Sequence, residues 1–245
     1  MSVVVGGRLA DTIITSDEDD SIFGRNGNDV IKANGGDDVI NAGSGSDRVE
    51  GGRGADDIFG KAGNDFLFGG LGNDLIDGGA GVDRISAQGG DDTVFGGGGN
   101  DVVRGGSGND TIDGGAGRDR LFGNSGDDTI FGGNGNDTIF GGNGNDVIFG
   151  GVGQDEINGG AGADTMTGGA GRDKFIFDFE DIGPVLDEVT DFNDRQDQVI
   201  IQGISDPNNA TVDYDSETGI VSVNGKAFLQ LDTGLDFDSD DYMIM

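Results

Sequence analysis

From Asp11 to Asp173 this chain carries an aspartate at every ninth position, nineteen times without an insertion. The residue two places after each aspartate is apolar, as at Ile31, Ile40, Val49, Ile58, Leu67, Ile76, Ile130, Ile139, Ile148 and Phe175. The residue two places before is glycine in every copy from Asp29 to Asp173. Repetition this short and strict leaves few folds open. Each unit must be equivalent to the next, and none can bury its one apolar residue alone, so the units must stack.

The unit reads G-G-x-G-x-D-x-U-x, with U apolar, as in Gly141-Gly142-Asn143-Gly144-Asn145-Asp146-Val147-Ile148-Phe149. Its first six residues are turn formers, with glycine free to take φ > 0 and to let neighbouring backbones approach. Its last three have strand propensity and point one side chain inward. A six-residue turn plus a three-residue strand is half a coil. Two units, 18 residues, therefore predict one coil of an all-β, right-handed parallel β-roll solenoid with two facing short-stranded sheets and an aliphatic core. At ~4.8 Å per coil, about 9.5 coils give a roll about 46 Å long.

Composition removes whole classes of function. The 245 residues include 53 Gly and 2 Pro but no His, Cys or Trp. Without His there is no Ser-His-Asp triad and no His-ligated metal; without Cys there is no disulfide framework, thiol nucleophile or Fe–S cluster. The net charge of −33 argues against nucleic acid as a partner. No apolar run approaches a membrane span, which argues against membrane insertion, and Met1–Val5 is too short for a secretory signal. Scattered GxGxxG matches are by-products of the glycine period.

The repeat unit resembles the calcium-binding nonapeptide of RTX (repeats-in-toxin, hemolysin-type) proteins over residues 6–176. The resemblance implies a parallel β-roll holding Ca²⁺ between successive turns on each edge. Coordination chemistry points the same way. Ca²⁺ takes six to eight hard oxygen ligands, mixing carboxylates with backbone carbonyls. Turns 18 residues apart stack ~4.8 Å apart, so one ion could bind the aspartates of two turns plus glycine carbonyls. One edge would carry Asp11, Asp29, Asp47, Asp65, Asp83, Asp101, Asp119, Asp137, Asp155 and Asp173; the other Asp20, Asp38, Asp56, Asp74, Asp92, Asp110, Asp128, Asp146 and Asp164. Expected carbonyl donors lie in the turns of Gly27, Gly36, Gly45, Gly54, Gly63, Gly72, Gly81, Gly90, Gly99, Gly108, Gly117, Gly126, Gly135, Gly144, Gly153, Gly162 and Gly171.

Leu9 and Glu18 replace the glycine before Asp11 and Asp20, so these two aspartates are the weaker ligands. Of 17 gaps between stacked turns, 15 remain, and about 15 Ca²⁺ ions are expected. The charge distribution agrees: residues 1–176 hold 30 acidic and 12 basic residues, and 19 of the acids are the repeat aspartates. The excess negative charge of this region sits where ions would bind.

The period ends after Phe175, which divides the chain into a roll, 1–176, and a C-terminal β cap, 177–245. Asp187–Phe192 and Asp197–Ile204 resemble the segment that follows the repeats in RTX proteases and polymannuronate epimerases. Thr211–Tyr214, Ile220–Val223 and Ala227–Leu231 read as strands, and Asn224-Gly225 is a type I′ hairpin signal. Asp191, Asp194 and Asp197 are candidates for one more ion against the simpler reading of solvated loop acids. The tail Asp241–Met245 resembles the uncleaved C-terminal signal of type I secretion substrates and reads equally as a final edge strand.

Phe122 and Phe140, like Phe131 and Phe149, are 18 apart and should stack across strands. The rank Thr93, Thr111, Thr129 and Thr165 is similar to ice-binding solenoids, but bulky Phe95 and Phe131 break the flat polar surface these need. Two functions remain. One is a secreted, extracellular, non-enzymatic calcium-binding scaffold, surface-layer or matrix component, with type I secretion machinery and a polysaccharide or cell surface as partners. The other is the C-terminal secretion, folding and polysaccharide-contact module of a larger epimerase, lyase or hydrolase. The initiator-like Met1, and repeats starting at Gly6 with no room for a preceding catalytic domain, favour the first.

Overall fold

A computed structural model describes residues 2–179, 185–207 and 210–245; Met1 lies outside them. Those residues form two sheets of 14 and 12 strands, taken alternately along the repeats. The first sheet starts at Val3–Val5 and the second at Thr12–Ile14. Throughout the repeats each strand pairs in parallel with the strand 18 residues on, as Leu121 with Ile139 and Ile130 with Ile148. This is the expected parallel β-solenoid.

Inward-facing residues of both sheets, from Ile22 through Ile148 to Phe175, are essentially inaccessible to solvent and form one core cluster. The core is a single file of aliphatic side chains from each sheet. That is why the apolar residue recurs in every copy: an omission would leave a void spanning the full thickness of the roll.

The strands differ from the expected three residues. Most run six, as Val30–Gly35 or Thr138–Asn143, because ladder pairing continues around the corner, with Asn124 on Gly142 and Ser125 on Asn143. Positive φ angles bend these strands without breaking their hydrogen bonds to the next coil. Outside, Phe122 stacks on Phe140 at 5.2 Å and Phe131 on Phe149 at 5.1 Å, nearly parallel, as their spacing predicts.

The C-terminal segment continues both sheets. Asp187–Val189 pairs with Thr165–Gly171, and Gln198–Gln202 with Lys174–Asp178. An antiparallel hairpin of Ile220–Val223 and Lys226–Gln230 turns at Asn224 (φ 53°) and Gly225 (φ 75°) and extends the first sheet. The expected strand 211–214 lies at Val212–Asp215. Tyr242–Ile244 is the last strand of the second sheet, paired with Val199–Ile201. Phe177, Phe192 and Phe228 plug the end of the core, Phe228 meeting Phe177 edge-on at 5.2 Å. Phe228→Ala should therefore cost about 3–5 kcal/mol, seen as a lower thermal midpoint of the calcium-loaded protein; an unchanged midpoint would show that the plug is dispensable. No helix among the described residues is long and apolar enough to cross a membrane.

Candidate metal centre

The repeat aspartates form two continuous ladders, one at each edge where the chain passes between sheets. Each backbone N–H donates to Oδ1 of the aspartate one coil further on, at 2.7 to 2.9 Å from Asp20 to Asp173. The carboxylates point inward and are all but inaccessible. Asp20, Asp29 and every later repeat aspartate to Asp173 thus occupy the same place in the coil. Asp11 differs: it is half-buried, and the Gly7 amide donates to its Oδ2.

Oδ1 is satisfied and Oδ2 is not. In all eighteen aspartates from Asp20 to Asp173, Oδ2 is buried without a hydrogen-bond partner. A buried acceptor left alone is costly, and a buried anion more so. Burial pushes Asp74, Asp119 and Asp128 up to about 7, and like-charged aspartates along the ladder add to the rise. Asp56, Asp65, Asp101, Asp110, Asp146, Asp155 and Asp173 rise to about 6 for the same first reason. Asp20 goes the other way, because the Ser2 hydroxyl and amide both donate to it.

Glycine makes room for this oxygen. A Cβ at Gly60 would lie 2.6 Å from Asp65 Oδ2 and 2.7 Å from the Gly78 carbonyl oxygen, so carboxylate and carbonyl crowd one point. At Gly63 (φ 142°) a Cβ would run into the Gly45 carbonyl of the preceding coil. Ala33, Ala42 and Ala87 occupy the position equivalent to Gly60, whereas the position of Gly63 is glycine from Gly27 onward. Gly63→Ala should accordingly raise the calcium concentration needed for folding by about tenfold or more, since positive-φ strain alone is worth ~1–3 kcal/mol. Gly60→Ala should raise it much less, and equal shifts would refute this division of roles.

The donor set suits a hard cation. Every free donor is oxygen, and each gap between coils brings two carboxylates together with backbone carbonyls, the mixture that Ca²⁺ accepts. Among the described residues no three His, Cys, Asp or Glu side chains converge on one point. Carbonyls must therefore complete any site, which the glycine-rich turns allow.

Several participants escape the nine-residue count. Asp187 Oδ1 accepts the Asp164 N–H at 2.9 Å, and Asp197 Oδ1 the Asp173 N–H at 3.0 Å, so both ladders continue into the C-terminal segment. Asp187 is pushed up to about 7 by burial. Of the three acids proposed for an extra ion, only Asp197 joins a ladder. Asp191 instead accepts the Gly168 and Gly169 amides at 2.8 Å, and Asp194 accepts the Asp236 amide. Outside the ladders, the residue before the repeat aspartate forms a second, interrupted rank wherever it is Asn, Asp or Ser, with Asn64 Oδ1 accepting the Val82 N–H at 2.9 Å and Asn100 Oδ1 the Arg118 N–H at 2.8 Å. Its signal in the sequence is the run of Asn, Asp and Ser at that position.

Fold and ladders define a parallel β-solenoid whose two edges are lined with carboxylates in need of cations. The family model for the RTX calcium-binding nonapeptide repeat matches in overlapping copies from residue 5 to residue 175. Comparison with curated proteins finds no match. The chain belongs to the RTX calcium-binding nonapeptide repeat family.

Proposed function

We propose that this protein is a secreted, non-enzymatic scaffold that folds as it binds extracellular Ca²⁺, residues 1–176 forming the roll and 177–245 its cap. The observation that carries this reading is the row of eighteen buried Oδ2 atoms without donors. The pairs Asp29–Asp47 through Asp155–Asp173 and Asp38–Asp56 through Asp146–Asp164 would hold the ions with carbonyls of the intervening glycine turns, Asp11 and Asp20 more weakly. When bound, Ca²⁺ supplies charge compensation and cross-links neighbouring coils. A crystal grown in calcium should give anomalous peaks in two rows along opposite edges, about 15 in all by the oxygen-ligand requirement. Peaks on one edge only, or fewer than about ten, would sink the assignment. The tail Tyr242–Ile244 serves as an edge strand and is also compatible with recognition by type I secretion machinery. Deleting Asp241–Met245 should impair export while leaving calcium binding.

A second reading, the polysaccharide-contact module of a larger enzyme, is favoured by one feature. A shallow groove of about 440 Å³ on the second sheet is lined by Asn34, Arg48, Glu50, Phe68 and Gln88. Such a module would retard on an immobilised acidic polysaccharide, and loss of that retardation in Phe68→Ala would locate the contact.

A further inference from the structure

We propose that the two outward sheet faces bind each other, so that calcium-loaded copies associate laterally, the first-sheet face of one copy on the second-sheet face of the next. The edges are occupied by the ladders; the faces are what remains. On the first sheet the rank three places after the ladder aspartate reads Phe59, Asp77, Phe95, Asp113, Phe131 across five successive paired strands. On the second sheet the rank one place after it reads Arg48, Phe66, Arg84, Val102, Arg120, again across five. Both alternate apolar with charged residues strand by strand. Their charges recur at the same pitch, ~9.6 Å or two strand spacings, and carry opposite sign. Laid face to face, Asp77 and Asp113 meet Arg84 and Arg120, Phe59 meets Phe66, and Phe95 meets Val102.

These groups lack such partners among the described residues. Arg84 and Arg120 lie over the rings of Phe66 and Phe122, at 5.4 and 5.5 Å, and none of the ion pairs among the described residues includes them. Asp77 and Asp113 likewise pair with no cation there; Lys61, over the Phe59 ring, is the cation beside their rank. Phe95 and Phe66 each remain 41% exposed and Phe131 37%. Stacked aromatic and charged ranks of this kind are what an interface buries. The net charge of −33 opposes contact between copies until cations offset it, after which a near-neutral surface favours association. Because two different faces meet, the contact does not close and generates an open stack.

Sedimentation velocity of the calcium-saturated full chain tests this, with circular dichroism of every sample separating a failure to fold from a failure to associate. The mass average should rise with concentration past the dimer and return to monomer in high salt. Asp77→Arg with Asp113→Arg makes both faces basic, and Arg84→Asp with Arg120→Asp makes both acidic. Each pair alone should weaken association at least tenfold, and mixing the two proteins should restore it. Should a reversed pair fail to fold, Asp77→Asn with Asp113→Asn, and Arg84→Gln with Arg120→Gln, must show the same weakening. A monomer at all concentrations, a dimer that grows no further, or indifference to both pairs would overturn the proposal. Monomers held through Arg84 and Arg120 by a polyuronate would also overturn it, giving that face to an acidic glycan.

Discussion

In EGTA near neutral pH this chain should show the circular dichroism of a disordered polypeptide, and millimolar Ca²⁺ should convert it to a β spectrum. The core is one aliphatic residue per nine, too thin to outweigh the ordering of so glycine-rich a backbone. Against it stand eighteen buried carboxylates stacked at strand spacing. Each site that binds only the folded chain adds RT ln(1 + [L]/Kd), and the sum over many sites supplies the missing stability. Extracellular calcium modules in general bind at about 10⁻⁴–10⁻³ M, which sets the range over which the titration should be run. A β spectrum persisting unchanged in EGTA would show that the roll needs no cation.

Protons should partly substitute for calcium. Ladder aspartates start near 3.8 when unfolded, and burial raises Asp56 to about 6 and Asp74 and Asp119 to about 7 in the cation-free roll. The folded state therefore binds more protons than the unfolded one between those values, and its stability falls as pH rises through that window. Acidifying the EGTA sample from about pH 7.5 towards about pH 4.5 should recover part of the β signal. In calcium the sign reverses, because protons compete for the same oxygen. The competing state is the unfolded chain with aspartates near 3.8, so the calcium midpoint should rise as pH drops below about 5. A midpoint flat from about pH 7.5 down to about pH 4 would exclude the carboxylates as ligands.

The second large effect is positional. Asp155→Ala should raise the calcium midpoint about fivefold or more, whereas Asp11→Ala should change it less than about twofold. Asp155 accepts the Asp137 N–H at 2.8 Å, donates its own to Asp173 at 2.9 Å, and faces a gap on either side. Its removal strands a buried donor, worth ~1–3 kcal/mol, and takes one carboxylate from two neighbouring sites. Asp11 is half-buried in the first coil, with one aspartate neighbour. In a solenoid whose coils touch only their neighbours, a defect near the capped end interrupts propagation, while one at the far end lengthens existing fraying. Asp155→Asn should fall between, since it keeps an acceptor and loses the charge. Equal shifts for Asp11→Ala and Asp155→Ala in a calcium titration would refute the directional picture.

The coil, its 18-residue length, the inward residues and the equivalence of the repeat aspartates were all legible in the sequence. Each depends on position within a strict period, and translation by one coil is then enough to place every copy. The stacked phenylalanines followed from the same count. What the count could not reach lies where pairing, rather than spacing, assigns a place. Asp187 and Asp197 join the ladders at offsets of 23 and 24 residues because their backbone strands add to the sheets there. Ser2 begins the Asp20 ladder with a hydroxyl in place of a carboxylate. The longer strands arise because hydrogen bonds to the next coil persist around positive-φ corners that local propensity reads as turns. The alternating Asp and Arg ranks also lie beyond that count, since their repeat spans two coils and each rank draws on only one of the two sheets. A nine-residue period determines where a side chain stands within its coil; the stacking of coils into two separate sheets decides which side chains become neighbours.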